Sequence, residues 1–109
     1  MIDWSRVIEL RDEVGEEDFD EVVTLFLDEV AEVIARLCAA TDGVALEADL
    51  HFLKGCAMNL GFAHVSDLCH AGERMAASGR AAEVDVPAIV AGFETSQAVF
   101  QSDLGARVA

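Results

Sequence analysis

The sequence predicts an all-α protein, an antiparallel up-down-up-down four-helix bundle with a short additional N-terminal helix. Apolar residues recur at alternating spacings of three and four, which is the period of a helix with one buried face. No segment alternates apolar and polar residues as a strand does, and the connections between helical segments are short. The 109 residues suffice for one core, so we expect a single domain over residues 1–109.

The first two predicted helices have recognisable start signals. Asp3 is a suitable N-cap for a short helix that runs to about residue 14, where Gly15 interrupts it. A second helix is predicted over residues 16–40, because its acidic beginning suits the positive end of a helix dipole. Its buried face is formed by apolar residues at helical spacing: Phe19, Val23, Phe26, Val30, Val33 and Leu37.

The second half of the chain contains three more helical segments. After a turn at residues 41–43, a helix is predicted over residues 44–60, and Gly61 is a natural C-terminal stop. A fourth helix is predicted over residues 63–77, and Asp85 with Pro87 begins the last one. Their predicted core positions are Leu46, Leu50, Leu53, Ala57 and Leu60, then Val65, Leu68, Gly72 and Met75, and finally Ile89, Phe93, Phe100 and Leu104.

The charge of the chain excludes some classes of partner. Its 21 acidic and 7 basic residues give a formal net charge of −14, so it repels nucleic acids and anionic membrane surfaces. Residues 1–50 carry most of this charge, with 15 acidic and 3 basic residues. The near-neutral remainder is a candidate docking face, because weakly charged apolar surface often marks one.

We expect a cytoplasmic protein with reduced thiols and no metal site. Cys38, Cys56 and Cys69 are odd in number and widely spaced, which favours thiols in a helical core over a disulfide framework. They lack the spacing of a zinc site, and His64 and His70 are not one helical turn apart. No segment has the length and apolar character of a membrane helix, and the N-terminus lacks the pattern of a signal peptide.

The segment from His51 to Gly61 contains the candidate site. On a helix with about 100° per residue, His51 lies about 140° from the core stripe, so its imidazole points toward solvent. Lys54, the only lysine of the chain, follows one turn later on the same side. Gly55 lies in the helix interior, where glycine costs about 1 kcal/mol relative to alanine. Its missing side chain clears space over the ring for another protein.

This pattern suits phosphoryl transfer. An exposed imidazole is largely neutral at pH 7, so one ring nitrogen of His51 has a free lone pair that can attack phosphorus. The ammonium of Lys54 is placed to stabilise the negative charge of the transferring group. The carboxylates and the metal that drive transfer are missing from this face, so a partner is expected to supply them. The chain has no phosphate-binding loop for ATP and is not expected to phosphorylate itself.

The same segment resembles the signature of histidine-containing phosphotransfer (HPt) domains of bacterial-type phosphorelays. That signature is H-x-x-K-G with a downstream N-[apolar]-G, here completed by Asn59 and Gly61. The resemblance implies that His51 accepts the phosphoryl group, that Lys54 stabilises its charge, and that Gly55 provides clearance for the partner. Outside the signature positions, the resemblance continues through Leu68, Cys69 and Glu73. The sequence departs from the family pattern at two positions: Cys56 stands where a serine is frequent, and Gly72 where a leucine is frequent.

The resemblance also implies the partners and the type of activity. It implies a phosphocarrier without kinase activity of its own, which accepts a phosphoryl group from a receiver-domain aspartate and passes it to another receiver. Receivers of response regulators, including those of hybrid histidine kinases, are the implied partners. The resemblance implies that this chain holds no cofactor and that Mg²⁺ is bound by the partner receiver. We expect a monomer.

Two alternatives remain open from the sequence. One is a non-catalytic helical interaction module that binds a partner through the near-neutral half without phosphotransfer, and the other is a helical segment of a dimeric histidine kinase. Phe52, Met58, Phe62 and Val65 fit either the core or an apolar docking rim around the histidine. Asn59 is expected to fix the helix end or the local packing.

Overall fold

The computed structural model describes residues 2–39 and 42–108, which form helices and turns. The α-helices are α1 (Trp4–Val14), α2 (Phe19–Ala39), α3 (Gly43–Leu60), α4 (Ala63–Ala77) and α5 (Val86–Val108), and a single 3-10 turn, Ala81–Glu83, precedes α5. The only extended pairing among these residues is one isolated bridge between Ile2 and Phe62. The all-α prediction is therefore confirmed.

The predicted helix boundaries are accurate except at the start of α2. That helix begins at Phe19 rather than at residue 16, because residues 15–18 form a turn. Gly15 adopts a φ of +89° there, and its carbonyl accepts a hydrogen bond from the Asp18 N–H at 3.2 Å. The α3 helix begins one residue earlier than predicted, since the Asp42 side chain accepts from the Val44 N–H. The predicted end of the second helix at residue 40 lies outside the described residues.

The four long helices pack as a bundle. The α3 helix contacts both α2 and α4, and α5 contacts α4 and α2, which closes the ring, while α1 lies across α2 and α3. The alternating up and down order of these helices stays a prediction. None of the described helices combines the length and the hydropathy required to span a bilayer.

The core consists largely of the predicted positions. On α3 all five are buried, and on α2 only Phe26 remains partly exposed. Of the residues assigned to either core or rim, Phe62 and Val65 are fully buried, whereas Phe52 and Met58 are 41% and 58% exposed. Phe62 fills the centre, because its ring meets those of Phe93 and Phe100 edge-on.

Close packing at Gly72 brings α4 against α3. A Cβ atom at this position would lie 3.0 Å from Leu50 Cδ1 and 3.2 Å from Val84 Cγ1. A Cβ atom here would therefore require these side chains to shift by a few tenths of an ångström. The glycine allows the next residue, Glu73, to reach the outward face of α3.

Gly61 fixes the attachment of α1 to the turn between α3 and α4. It has a φ of +75°, and its carbonyl accepts a hydrogen bond from the Asp3 N–H at 2.6 Å. A Cβ atom at Gly61 would lie only 2.6 Å from the carbonyl oxygen of Asp3. Both the backbone conformation and the contact with α1 thus require glycine.

Alanine substitutions at Gly61 and Gly55 are expected to have opposite effects on stability. Gly61→Ala should lower the free energy of unfolding by about 1–3 kcal/mol, because it adds backbone strain and a clash with Asp3. Gly55→Ala should raise it by about 0.5–1 kcal/mol, since a Cβ there meets no atom within 4 Å. Urea denaturation measures both variants. Equal effects at the two positions would contradict this account.

Candidate functional site

His51 lies in the middle of α3 with its imidazole in solvent. The side chain is 70% exposed, as the helical phase predicts, and its Nδ1 atom lies 2.7 Å from Oε1 of Glu73 on α4. A carboxylate only accepts hydrogen bonds, so in the neutral ring Nδ1 carries the proton. The lone pair is then on Nε2. The contact with α4 therefore selects the nitrogen that is available as a nucleophile.

Lys54 contacts the same carboxylate. Its Nζ atom lies 2.8 Å from Oε2 of Glu73, and the two side chains are 21% and 17% exposed. The helical phase of α3 alone does not predict this contact, because Glu73 belongs to α4, which packs beside α3. A single carboxylate thus binds the imidazole through one oxygen and the ammonium through the other.

The two contacts change the acidity of Glu73. The hydrogen bond from Lys54 lowers the pKa of the Glu73 carboxyl below its ordinary value, and the hydrogen bond with His51 acts in the same direction. Partial burial raises the pKa of this carboxyl, but by less than the contacts lower it. Glu73 is consequently ionised at neutral pH and remains a hydrogen-bond acceptor for both partners.

Gly55 leaves the surface beside the imidazole bare. No atom lies within 4 Å of the position that a Cβ would occupy, so close helix packing does not account for this glycine. Its carbonyl accepts a hydrogen bond from Asn59 Nδ2 at 2.9 Å, and Asn59 Oδ1 accepts one from Arg6 Nη2 at 3.0 Å. Asn59 therefore connects the site helix to α1, which is the local packing role expected of it.

Two exposed apolar residues of α3, Phe52 and Met58, lie on either side of the site. Phe52 lines a shallow depression between α2 and α3, and Met58 lines another between α1 and the turn that joins α3 to α4. Together with Gly55, these two side chains give the surface around His51 an apolar component. This surface is suited to contact with another protein.

The three cysteines and the other two histidines do not contribute reactive groups to the site. Burial raises the pKa of the Cys56 thiol to about 11 and that of Cys69 to about 12, so both are protonated and poorly nucleophilic. Cys38 is exposed, and all three thiols are free. His64 and His70 are exposed, and in the described part of the chain no cluster of three His, Cys, Asp or Glu side chains is placed to hold a metal ion.

Comparison with known protein families assigns the chain to a family. The family model described as Hpt domain matches residues 21–103, a range that includes α3 and α4. The chain therefore belongs to the Hpt domain family, whose members are phosphocarriers that interact with receiver domains in two-component phosphorelays. No curated protein and no solved structure gives a significant match.

Removal of Lys54 is expected to raise the pKa of Glu73. The lowered pKa in the folded state stabilises the fold above the ordinary glutamate value of 4.5, and this contribution is lost as the pH falls through the lowered pKa. In Lys54→Met the carboxyl should titrate closer to 4.5, and the acid-induced loss of thermal stability should be smaller. Carboxyl carbon-13 shifts measured against pH give both titration midpoints.

Arg36→Met is the control for this titration. It removes the ion pair between Arg36 Nη2 and Asp49 Oδ1, at 3.1 Å, on the other flank of α3. The titration midpoint of Glu73 should stay unchanged in this variant. An unchanged midpoint in Lys54→Met as well would show that the ammonium does not govern this carboxyl.

Proposed function

We propose that His51 is the phospho-accepting residue of a multistep phosphorelay. It takes a phosphoryl group from the aspartyl phosphate of one receiver domain and passes it to the aspartate of another. The observation that carries the proposal is the exposed imidazole whose Nδ1–H is bound by Glu73, which leaves Nε2 free, with Lys54 beside it. Membership of the Hpt domain family supports the same assignment.

The chemical step consists of one bond made and one bond broken. The Nε2 lone pair of His51 attacks phosphorus, the N–P bond forms, and the P–O bond of the aspartyl phosphate breaks with release of the aspartate carboxylate. The imidazole retains its Nδ1 proton and becomes positively charged. Glu73 stabilises this charge through the hydrogen bond that it already makes. The reverse step transfers the group to the second receiver.

Lys54 stabilises the phosphoryl oxygens without leaving Glu73. An ammonium group has three N–H donors, and the ion pair with the Glu73 carboxylate at 2.8 Å uses at most one of them. The remaining donors are available to oxygens of a phosphoryl group on the neighbouring imidazole. Since the lysine side chain is held by its ion pair, little rotational freedom is lost when the phosphoryl group arrives.

The partner completes the site. The receiver supplies the phosphoaspartate and the Mg²⁺ that neutralises the transferring group, whereas this chain supplies the nucleophile and one cation. Gly55 provides the clearance that lets the receiver reach the imidazole, because no atom lies within 4 Å of the position that a Cβ would occupy. In this assignment the protein acts as a monomeric phosphocarrier with no cofactor of its own and no kinase activity.

Incubation with a phosphorylated receiver is expected to label the protein on His51. The label should be acid-labile and base-stable, as an N–P bond is, and it should be absent from His51→Gln. His64→Gln is the matched control, since His64 is exposed at the start of α4, nine residues before Glu73, and it should be labelled like the wild type. Label that persists in His51→Gln contradicts the assignment, and binding of the receiver without labelling supports the non-catalytic alternative.

A bulky side chain at Gly55 is expected to slow transfer without unfolding the bundle. Gly55→Leu should reduce the transfer rate at least about tenfold, because small displacements of reacting groups cost rates of that order. Its melting temperature should not fall, since the position has open space around it. Gly55→Ala is the control, because it adds only a methyl group at the same position. An undiminished transfer rate in Gly55→Leu would show that clearance at this position is unimportant.

A further inference from the structure

The α2 side of the site combines an exposed aromatic ring with acidic side chains. Phe52 lies beside Glu29, Glu32, Val33 and Arg36, which line a shallow depression of about 190 Å³. The ring is 41% exposed, and Phe52 follows the proposed phospho-accepting residue, His51, directly in the sequence. A partner that reaches His51 from this side therefore contacts both the ring and its charged border.

The charge of this border is negative because its only cation is already paired. Arg36 Nη2 lies 3.1 Å from Asp49 Oδ1, whereas within residues 2–39 and 42–108 neither Glu29 nor Glu32 has an ion-pair partner. Both glutamates are exposed. The charge of Glu29 adds to the effect of burial in raising the pKa of Cys56, so this carboxylate acts on the residue next to Gly55.

The outer face of α4 has a different electrostatic character from the surface around Phe52. On α4 and the loop that follows it, Arg74 and Arg80 line a broad depression together with Ser78. Arg80 has Glu83 at 3.9 Å, and Arg74 has no acid within ion-pair distance in the described part of the chain. Negative charge therefore borders the site toward α2, whereas the depression with the two arginines lies on another face of α4 than Glu73.

A receiver that docks here must compensate the negative border. Contact between an apolar patch and Phe52 removes water from Glu29 and Glu32, and this costs free energy unless cations pair with them. The phosphoaspartate of the receiver is itself negative, and the chain has a net charge of −14, so an uncompensated approach is repulsive. Complementary charges at the rim of the contact remove this repulsion and favour one orientation.

Building on the proposed phosphotransfer at His51, we propose that the receiver partner presents lysine or arginine side chains to α2. These cations pair with Glu29 and Glu32 around the ring of Phe52, and they distinguish cognate receivers from those with a neutral or acidic rim. Arginine suits the position best, because its guanidinium binds a carboxylate through two hydrogen bonds. The pair of glutamates is thus a specificity determinant rather than part of the chemistry.

The test compares two double variants with the same change of charge. Glu29→Lys/Glu32→Lys reverses the border, and Glu94→Lys/Asp103→Lys reverses two acids on α5, which packs against α2 and α4. Each receiver of the host genome is phosphorylated with acetyl phosphate, and the rate of transfer to His51 is measured from about 0.05 to about 0.5 M salt. Circular dichroism and melting temperatures confirm that both variants are folded.

The expected result is a rate change confined to the border variant. Transfer from the cognate receiver to wild-type protein should slow as salt increases, and at low salt the border variant should be about tenfold slower and nearly insensitive to salt. The α5 variant should behave like the wild type. Replacing the facing cations of the receiver with glutamate should restore the rate of the border variant.

The outcomes separate this proposal from the proposed function. Absence of label on wild-type His51 with every receiver rejects phosphotransfer itself. Normal labelling with equal rates in both double variants, or faster transfer in the border variant, leaves phosphotransfer intact and overturns the docking proposal. Wild-type transfer that accelerates with salt would likewise overturn it, because that result indicates repulsion between the docking surfaces.

Discussion

The carboxylate of Glu73 connects the two functional side chains of α3 to the neighbouring helix. It lies 2.7 Å from His51 Nδ1 and 2.8 Å from Lys54 Nζ, so it orients an imidazole and an ammonium at once. Its position depends on the core, because Gly72 is what allows α4 to approach Leu50 so closely. The geometry of a surface site is therefore set by the packing beneath it. A change in the separation of α3 and α4 would displace the carboxylate from both partners.

The sequence predicts the features of the site that depend on one helix. A helical period places His51 outside the core and Lys54 one turn later, and the exposure of the imidazole follows from that phase alone. The contact of Glu73 is not predictable in the same way, because it depends on the register between α3 and α4. Periodicity identifies the face that each helix buries but not the relative shift of two helices along their axes. The late start of α2 has a local cause, the turn at Gly15.

The downstream half of the site motif has a structural explanation. Asn59 connects the Gly55 carbonyl to Arg6, and Gly61 accepts a hydrogen bond from Asp3 in a space that admits no Cβ. Both residues therefore attach α1 to the end of the site helix and do not contact the reacting group. This explains why a pattern that accompanies the histidine extends ten residues beyond it. The motif therefore includes the proposed nucleophile and also residues that support the helix on which it lies.

The arrangement of charges around His51 favours a carrier over a final acceptor. In the proposed transfer to His51, the Glu73 carboxylate would stabilise the positive imidazole ring through Nδ1, which favours retention of the phosphoryl group. The same carboxylate repels the phosphoryl oxygens, and the ammonium of Lys54, bound to Glu73, offsets that repulsion. Because these effects oppose one another, the phosphohistidine is neither strongly stabilised nor strongly destabilised by its own chain. In the proposed relay the direction of transfer would then be set by the receivers and not by the charges of this chain. The imidazole is 70% exposed, so the proposed site is open to either receiver.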